Sequence, residues 1–495
     1  MIRKFLTVTA AAITLSACSL APELKMPETN IPAAFKETGP VADGQWKLGA
    51  PAEHADRGEW WKSFKDDGLN AMEEAALTAN QSLKAAAARV EQARAIAGIT
   101  DSDLLPHVEI GANANRGVTS EATLGKAPGT GPGPVTNTFR ATGTISYEAD
   151  LFGRVRDSSR ASGAEAEAAE ATYKSVLLAL QADVAEHYFT LRSLKAEHVL
   201  LKDTLASRAE NTRIIKKRVD AGDAGEQDLA RAETDYSLVN ADMLDVERRM
   251  LETEHAMAVL LGKAPAEFAP DVKNLDGVPP VIPASVPSSV LERRPDITVA
   301  QKNLAAANAK IGVAKAAFFP RIFLTASDGY ESNQLEDLFK WSSRAWTLGP
   351  LLGTALTLPV FERGRNKAGL ALATAKYDET VALYRQQVLV AFKEVEDSLT
   401  QTRLYRAQAA TQAKAVESAR KASHISDLQY KEGYVPYTDV VDTQRTALAA
   451  ERANLQVKLA QYVSTIRLIR AIGGDWDAPK PEPATTPVPL KNDKT

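Results

Sequence analysis

The sequence predicts a mainly α-helical chain with a transmembrane β-barrel contribution, written as two structural repeats that each hold two β-strands and long coiled-coil helices. Three observations predict it. The chain resembles itself at a sustained offset. Two of its helical stretches run to about 60 residues, a rise of about 90 Å that no compact globule needs. Its strand segments alternate apolar and polar residues, while no helical segment is apolar enough to cross a bilayer.

The self-similarity is read residue by residue. Gly222 to Glu233 runs in phase with Gly433 to Gln444, an offset of 211 that also pairs Arg154 with Arg365, Tyr173 with Tyr384, Val184 with Val395, Arg192 with Arg403 and Gly262 with Gly473. Nearer the amino terminus the offset becomes 214 and pairs Leu83 with Ile297, Val90 with Leu304 and Pro106 with Pro320. The organisation expected from this is a signal peptide over 1–17, a lipidated extension over 18–67, a first repeat over 68–263, a Pro-rich linker over 264–294, a second repeat over 295–474 and a disordered tail over 475–495.

The elements follow in order. Arg3 and Lys4 precede an apolar run from Phe5 to Leu15 that is too short for a bilayer, the form of a secretory signal peptide. It ends in Leu15-Ser16-Ala17-Cys18, which resembles the bacterial lipobox and makes Cys18 the expected lipidation site. Ser19, rather than an aspartate, follows it and resembles the outer-membrane sorting pattern. One acylated position anchors weakly by itself, so further membrane contact is expected. Each repeat then opens with an alanine-rich helix, about Gly68 to Leu104 and Asp296 to Phe319, the second started by Pro295 and Asp296. Each helix stops at a proline, and a strand follows. Val108, Ile110, Ala112 and Ala114 alternate with His107, Glu109, Asn113 and Asn115; Phe139, Ala141, Ile145 and Tyr147 alternate with polar neighbours. Gly117 to Asn137 reads as the connecting loop. In the second repeat Ile322, Leu324 and Ala326 share a face, as do Trp346, Leu348, Leu352, Leu356 and Leu358. Four strands cannot close a membrane barrel, whose smallest forms have about eight, so several copies must each contribute four. The long helices, about Val155 to Asp220 and Gly364 to Glu432, carry Leu177, Leu180, Val184, Leu191, Leu194, Leu201 and Leu205 at seam spacing. His187 and His198 fall in the same stripe and read as seam residues. Glycine-containing turns lead to final helices, about Gln227 to Leu261 and Tyr437 to Ile472.

Composition excludes several classes. Fifty-nine basic residues against 63 acidic leave a net charge of −4, unlike a dedicated nucleic-acid binder. A single cysteine forbids an internal disulfide and a four-cysteine metal site. No His-Glu-x-x-His, phosphate loop or Gly-x-Ser-x-Gly is present, so neither an enzyme nor a cofactor or metal site is expected.

Several stretches together resemble the outer membrane efflux protein family, TolC-like, and within it the NodT/OprM-type lipoprotein branch. They are Glu59 to Leu69, Leu83 to Arg94, Asp150-Leu-Phe-Gly-Arg154, Leu291 to Ile297 and Leu358 to Arg365. The resemblance covers nearly all of residues 18 to 475. It implies a homotrimer with a 12-stranded β-barrel in the Gram-negative outer membrane, contacting its lipid, and a hollow periplasmic α-barrel. It also implies a periplasmic adaptor (membrane fusion protein) and an inner-membrane pump of the resistance-nodulation-division type. The implied function is passive conduction of drugs or other small molecules out of the cell, or alternatively a duct for secretion or metal efflux; a soluble periplasmic coiled-coil adaptor is the other rival, which the strands disfavour.

The resemblance also places a periplasmic gate on Tyr437 to Arg445, with Asp442 and Arg445 at charged gate positions. Thr438 stands where an apolar residue is common. Thr438, Asp442 and Arg445 share one helix face at i, i+4 and i+7, so Asp442 would form an acidic ring tied by Arg445 to a neighbouring helix. Asp439 suits the helix amino terminus after Pro436. Asp228 and Arg231 are weaker tip contacts in the first repeat.

Overall fold

The computed structural model describes residues 19–28, 35–36, 58–120, 122–123, 125, 129, 131, 133–282, 293–349, 354–359 and 361–474. The expected signal peptide, Cys18 and the tail 475–495 lie outside the described residues, as do residues 283–292 of the linker. The helices are α1 (Asp67–Ala79), α2 (Gln81–Ser102), α3 (Arg154–Asp220), α4 (Glu226–Leu260), α5 (Pro295–Ala316), α6 (Arg365–Lys431) and α7 (Tyr437–Ala471). The strands are β1 (His107–Val118), β2 (Val135–Ala149), β3 (Arg321–Ser332), β4 (Arg344–Leu348) and β5 (Thr354–Thr357). Four element pairs keep the repeat spacing: α6 and α7 start and end 211 residues after α3 and α4, and α5 and β3 stand 214 residues after α2 and β1. Among the described residues no helix is long and apolar enough to cross a membrane.

The chain divides into two compact units. One comprises residues 1–28, 88–170 and 299–385 and contains the antiparallel sheet, in the order β1-β2-β3-β4, with β5 also paired to β3. Cross-strand register sorts its two faces. Val108, Ile145, Ala326 and Leu348 lie side by side, and the next level on that face is Ile110, Gly143, Asp328 and Trp346. The opposite face carries Glu109, Thr144, Ser327 and Thr347. The apolar face is open: Ile110 is 88% and Trp346 67% exposed. A water-soluble sheet would cover such a patch, whereas lipid requires it.

Two strand expectations change. The first hairpin loop is shorter than Gly117 to Asn137, because Val118 pairs with Val135 and carries the ladder further. The last strand shifts register along β3 between β4 and β5, since Ala326 pairs with Leu348 but Leu324 pairs with Thr354, and residues 350–353 lie outside the described residues. The strand-to-helix junction is clamped by Glu148, which accepts from Arg154 (2.8 and 2.7 Å) and from Arg321 (2.7 Å). Gly153 turns the chain there at φ +76°.

The other unit comprises residues 29–87, 171–298 and 386–495. Its Trp-Trp motif is a packing device. Phe64, Phe189 and Tyr462 stack within 6.1 Å of one another, and Trp60 packs edge-on against Phe64. Asp66 caps α1 by accepting from Leu69 N–H, accepts from the Tyr188 hydroxyl at 2.6 Å and pairs with Arg192. Gly68 is required here, since a Cβ would lie 2.4 Å from Tyr188 Oη. The first long alanine-rich helix is in fact two. Asn80 breaks it by capping α2 through Leu83 N–H (2.9 Å) while its amide donates to Leu260 O (2.9 Å). The Arg-Arg-Pro-Asp stretch is a buried clamp in which Arg294 binds Asp296 and Glu394, both at 2.6 Å, and donates to Ala471 O.

Candidate functional site at the helix-hairpin ends

The helices α3 and α6 end in the same motif. Gly222 and Gly433 both adopt φ +81°, and Asp223 N–H and Tyr434 N–H each reach back 2.8 Å to the carbonyls of Arg218 and Gln429. This is the left-handed glycine cap with its long back-bond. The two hairpins, α3–α4 and α6–α7, then meet over an apolar plug of Ile215, Ala232, Tyr437, Val440 and Val441, with Val219, Leu229 and Tyr430 against it. Arg218 donates to Tyr430 Oη at 2.8 Å and lies over its ring.

The sequence-predicted residues fall as follows. Tyr437 is buried in the plug, and burial pushes its phenol above the ordinary value. Thr438 is half-buried and Asp439 is exposed in the first turn of α7. Asp442 is exposed, and among the described residues its carboxylate has no hydrogen-bond or ion-pair partner. Asp228 and Arg231 are half-buried at the start of α4. Arg445 binds Asp235 of α4, with Nε 2.8 Å from Oδ1, and not Asp442.

Asp235 is the centre that sequence reasoning missed. Its side chain is 3% exposed, and a second arginine, Arg208 of α3 (5% exposed), places Nε 2.6 Å from its other oxygen. That contact is an ion pair off hydrogen-bond alignment, and Arg208 spends a donor on Gln444 of α7 instead. Burial pushes the Arg208 guanidinium down from its ordinary value, against the opposing pull of Asp235. One turn of the pattern higher, Arg452 repeats the arrangement, with Nε 2.8 Å from Glu197 and Nη1 2.7 Å from Asp242. Arg445 and Arg452 are seven residues apart, as are Asp235 and Asp242, so the pairs form a heptad ladder between α7 and α4. Leu194, Leu201, Val239 and Val246 fill the seam beside it.

The cluster belongs to one hairpin pairing only. At the equivalent repeat positions stand Thr234 for Arg445, Thr446 for Asp235 and Ala419 for Arg208. Arg231 likewise occupies the place of Asp442 with opposite charge. The arrangement holds charges and plugs a helix end; it brings together no nucleophile and base, and the described residues contain no group of three metal-ligating side chains.

Comparison with known proteins gives a consistent result. The family model "Outer membrane efflux protein" matches residues 73–263 and 286–474. The chain is 33% identical over 478 residues to the probable efflux pump outer membrane protein SepC of Pseudomonas putida, covering 96% of this chain and 98% of the relative. It is 33% identical to outer membrane protein OprJ of Pseudomonas aeruginosa, covering 94% and 95%. Among solved structures, the CmeC outer membrane channel of Campylobacter jejuni matches with a TM-score of 0.84 at 28% identity over 92% of this chain and 95% of that one.

Proposed function

The chain belongs to the outer membrane efflux protein family, and from that premise we propose how this outer-membrane efflux channel is built and closed. Three copies each supply four strands to one 12-stranded barrel, and their helices line the duct. Substrate passes through passively, delivered by a periplasmic adaptor and an inner-membrane pump of the resistance-nodulation-division type. The two repeats of the proposed domain plan, 68–263 and 295–474, are the two halves of one protomer, and Cys18 carries the lipid anchor.

The observation that carries this reading is the sheet. It exposes a mostly apolar face, interrupted by the Asp328–Arg344 pair, and among the described residues β1 on one side and β4 and β5 on the other end the sheet without a further strand partner. Copies of the same chain cover those edges, and lipid covers that face.

Closure falls to the hairpin ends. Tyr437 and its neighbours pack the two hairpins together, the Arg208–Asp235–Arg445 cluster locks α7 to α3 and α4, and Asp442 projects free, available to a ring around the threefold axis. Thr438 and Asp439 line the same turn, and Asp228 with Arg231 supplies the first-repeat side. The test is single-channel recording in a planar bilayer. Asp442→Ala combined with Arg445→Ala raises the closed-state conductance if these residues gate; an unchanged value overturns the gate assignment while leaving the duct intact.

A further inference from the structure

The described chain begins at Ser19, and its first residues are held by a buried acid. Ser19 Oγ lies 2.7 and 2.9 Å from the two oxygens of Asp157 and donates to that carboxylate, while accepting from Ala21 N–H at 3.1 Å. The Asp157 side chain is fully buried, with Arg160 3.2 Å away as its other partner. From α5, Asn308 donates to Pro22 O at 2.8 Å. Gly312, one turn along the same helix face, makes room: a Cβ there would lie 2.1 Å from Asp157 Oδ2 and 2.9 Å from Ala21 Cβ. Residues 19–22, the first turn of α3 and the C-terminal half of α5 therefore interlock.

Their place in the fold gives the contact a purpose. Asp157 stands eight residues beyond the end of β2, and Gly312 nine before the start of β3, so the clasp sits at the strand-to-helix junction. Where the sheet spans the bilayer, that junction lies at the membrane–water boundary.

We propose that Asp157, with Asn308 and Gly312, is a seat for the amino-terminal tether that fixes the lipid-bearing end of the chain beside its own sheet. The inference rests on the lipoprotein reading of Cys18. It gives the residue after the cysteine a role in the folded protein: a hydroxyl satisfies the buried carboxylate, a methyl leaves it short of a donor, and a second acid repels it.

The test uses full-length protein purified in detergent, with Ser19→Ala, Ser19→Thr and Asp157→Asn variants, and follows trypsin cleavage after Lys25, whose side chain is 81% exposed. Metabolic labelling with a radioactive fatty acid runs in parallel. The seat predicts that Ser19→Ala and Asp157→Asn are cut about tenfold faster than wild type, the loss expected for a hydrogen bond to a charged group, and that Ser19→Thr restores protection. Equal cleavage rates in all four proteins overturn the seat, whether or not the label is incorporated. Absence of label with the predicted cleavage pattern overturns the lipoprotein reading and the anchoring role together, and leaves Asp157 holding an unmodified segment.

Discussion

Replacing Asp235 by asparagine removes the only carboxylate facing Arg208 within the charged cluster, and the cost follows from burial. Arg208 is 5% exposed and Asp235 3%, so the substitution leaves a buried guanidinium without a counter-charge, a loss of about 3–5 kcal/mol. Arg445 meets the same acid from a position 47% exposed to water, where solvent screening reduces a pair to about 0–1 kcal/mol. If the cluster locks the closed hairpins, each 1.4 kcal/mol lost is about a tenfold shift towards the open state. Asp235→Asn then raises the open-to-closed ratio at least about a hundredfold, and Arg445→Gln at most about fivefold. Open probability in planar bilayers measures both. A double replacement, Asp235→Leu with Arg208→Met, removes both charges and returns the channel towards the wild-type ratio, because an apolar pair of similar volume replaces a buried ion pair at little cost. Equal effects of Asp235→Asn and Arg445→Gln, or failure of the double variant to recover, refute the burial argument.

Other outcomes follow from single residues. Glu73 is fully buried, its carboxylate oxygens have no hydrogen-bond partner among the described residues, and desolvation pushes it up to about 9 from 4.5. Its folded form holds a proton that the unfolded chain releases, so stability falls as pH rises between those two values, by up to about 1.4 kcal/mol per pH unit. Glu73→Gln flattens the melting temperature across that window; an unchanged slope excludes Glu73 as its source. Gly222→Ala meets open space and loses only the left-handed backbone preference, about 1–2 kcal/mol. Gly262→Ala brings a Cβ to 2.5 Å from Ala79 O and destabilises more, an order that paired thermal melts check. Asp442→Ala alone, touching no described partner, leaves the melting temperature within the range of ordinary surface changes, about 0.5 kcal/mol, while changing conductance.

The sequence made the architecture legible because its punctuation is repeated. The glycines at 222, 433, 262 and 473 and the prolines at 106 and 320 mark the same chain reversals twice, and the strand faces alternate cleanly. The break at Asn80 was hidden because its amide answers a carbonyl 180 residues away. Asp235 was hidden by polar neighbours that look like a solvated face. A signal was nevertheless present: Leu194, Leu201, Arg208 and Ile215 recur every seven residues at one heptad position, so Arg208 is a charge in a seam. The aspartates at 235 and 242 also match the arginines at 445 and 452 at one constant spacing of 210. Asp442 and Arg445 shared a predicted face, but only the packing of α4 against α7 separates the arginine that is engaged from the acid that is free.

The most direct test of the whole account is the mass of the complex extracted in detergent from the outer-membrane fraction, measured by light scattering with the detergent contribution subtracted. Three times the mass of one chain is predicted, since three copies of β1 to β5 are needed to close the sheet. A single-chain mass from that fraction, or recovery of the protein as a soluble monomer, contradicts the duct.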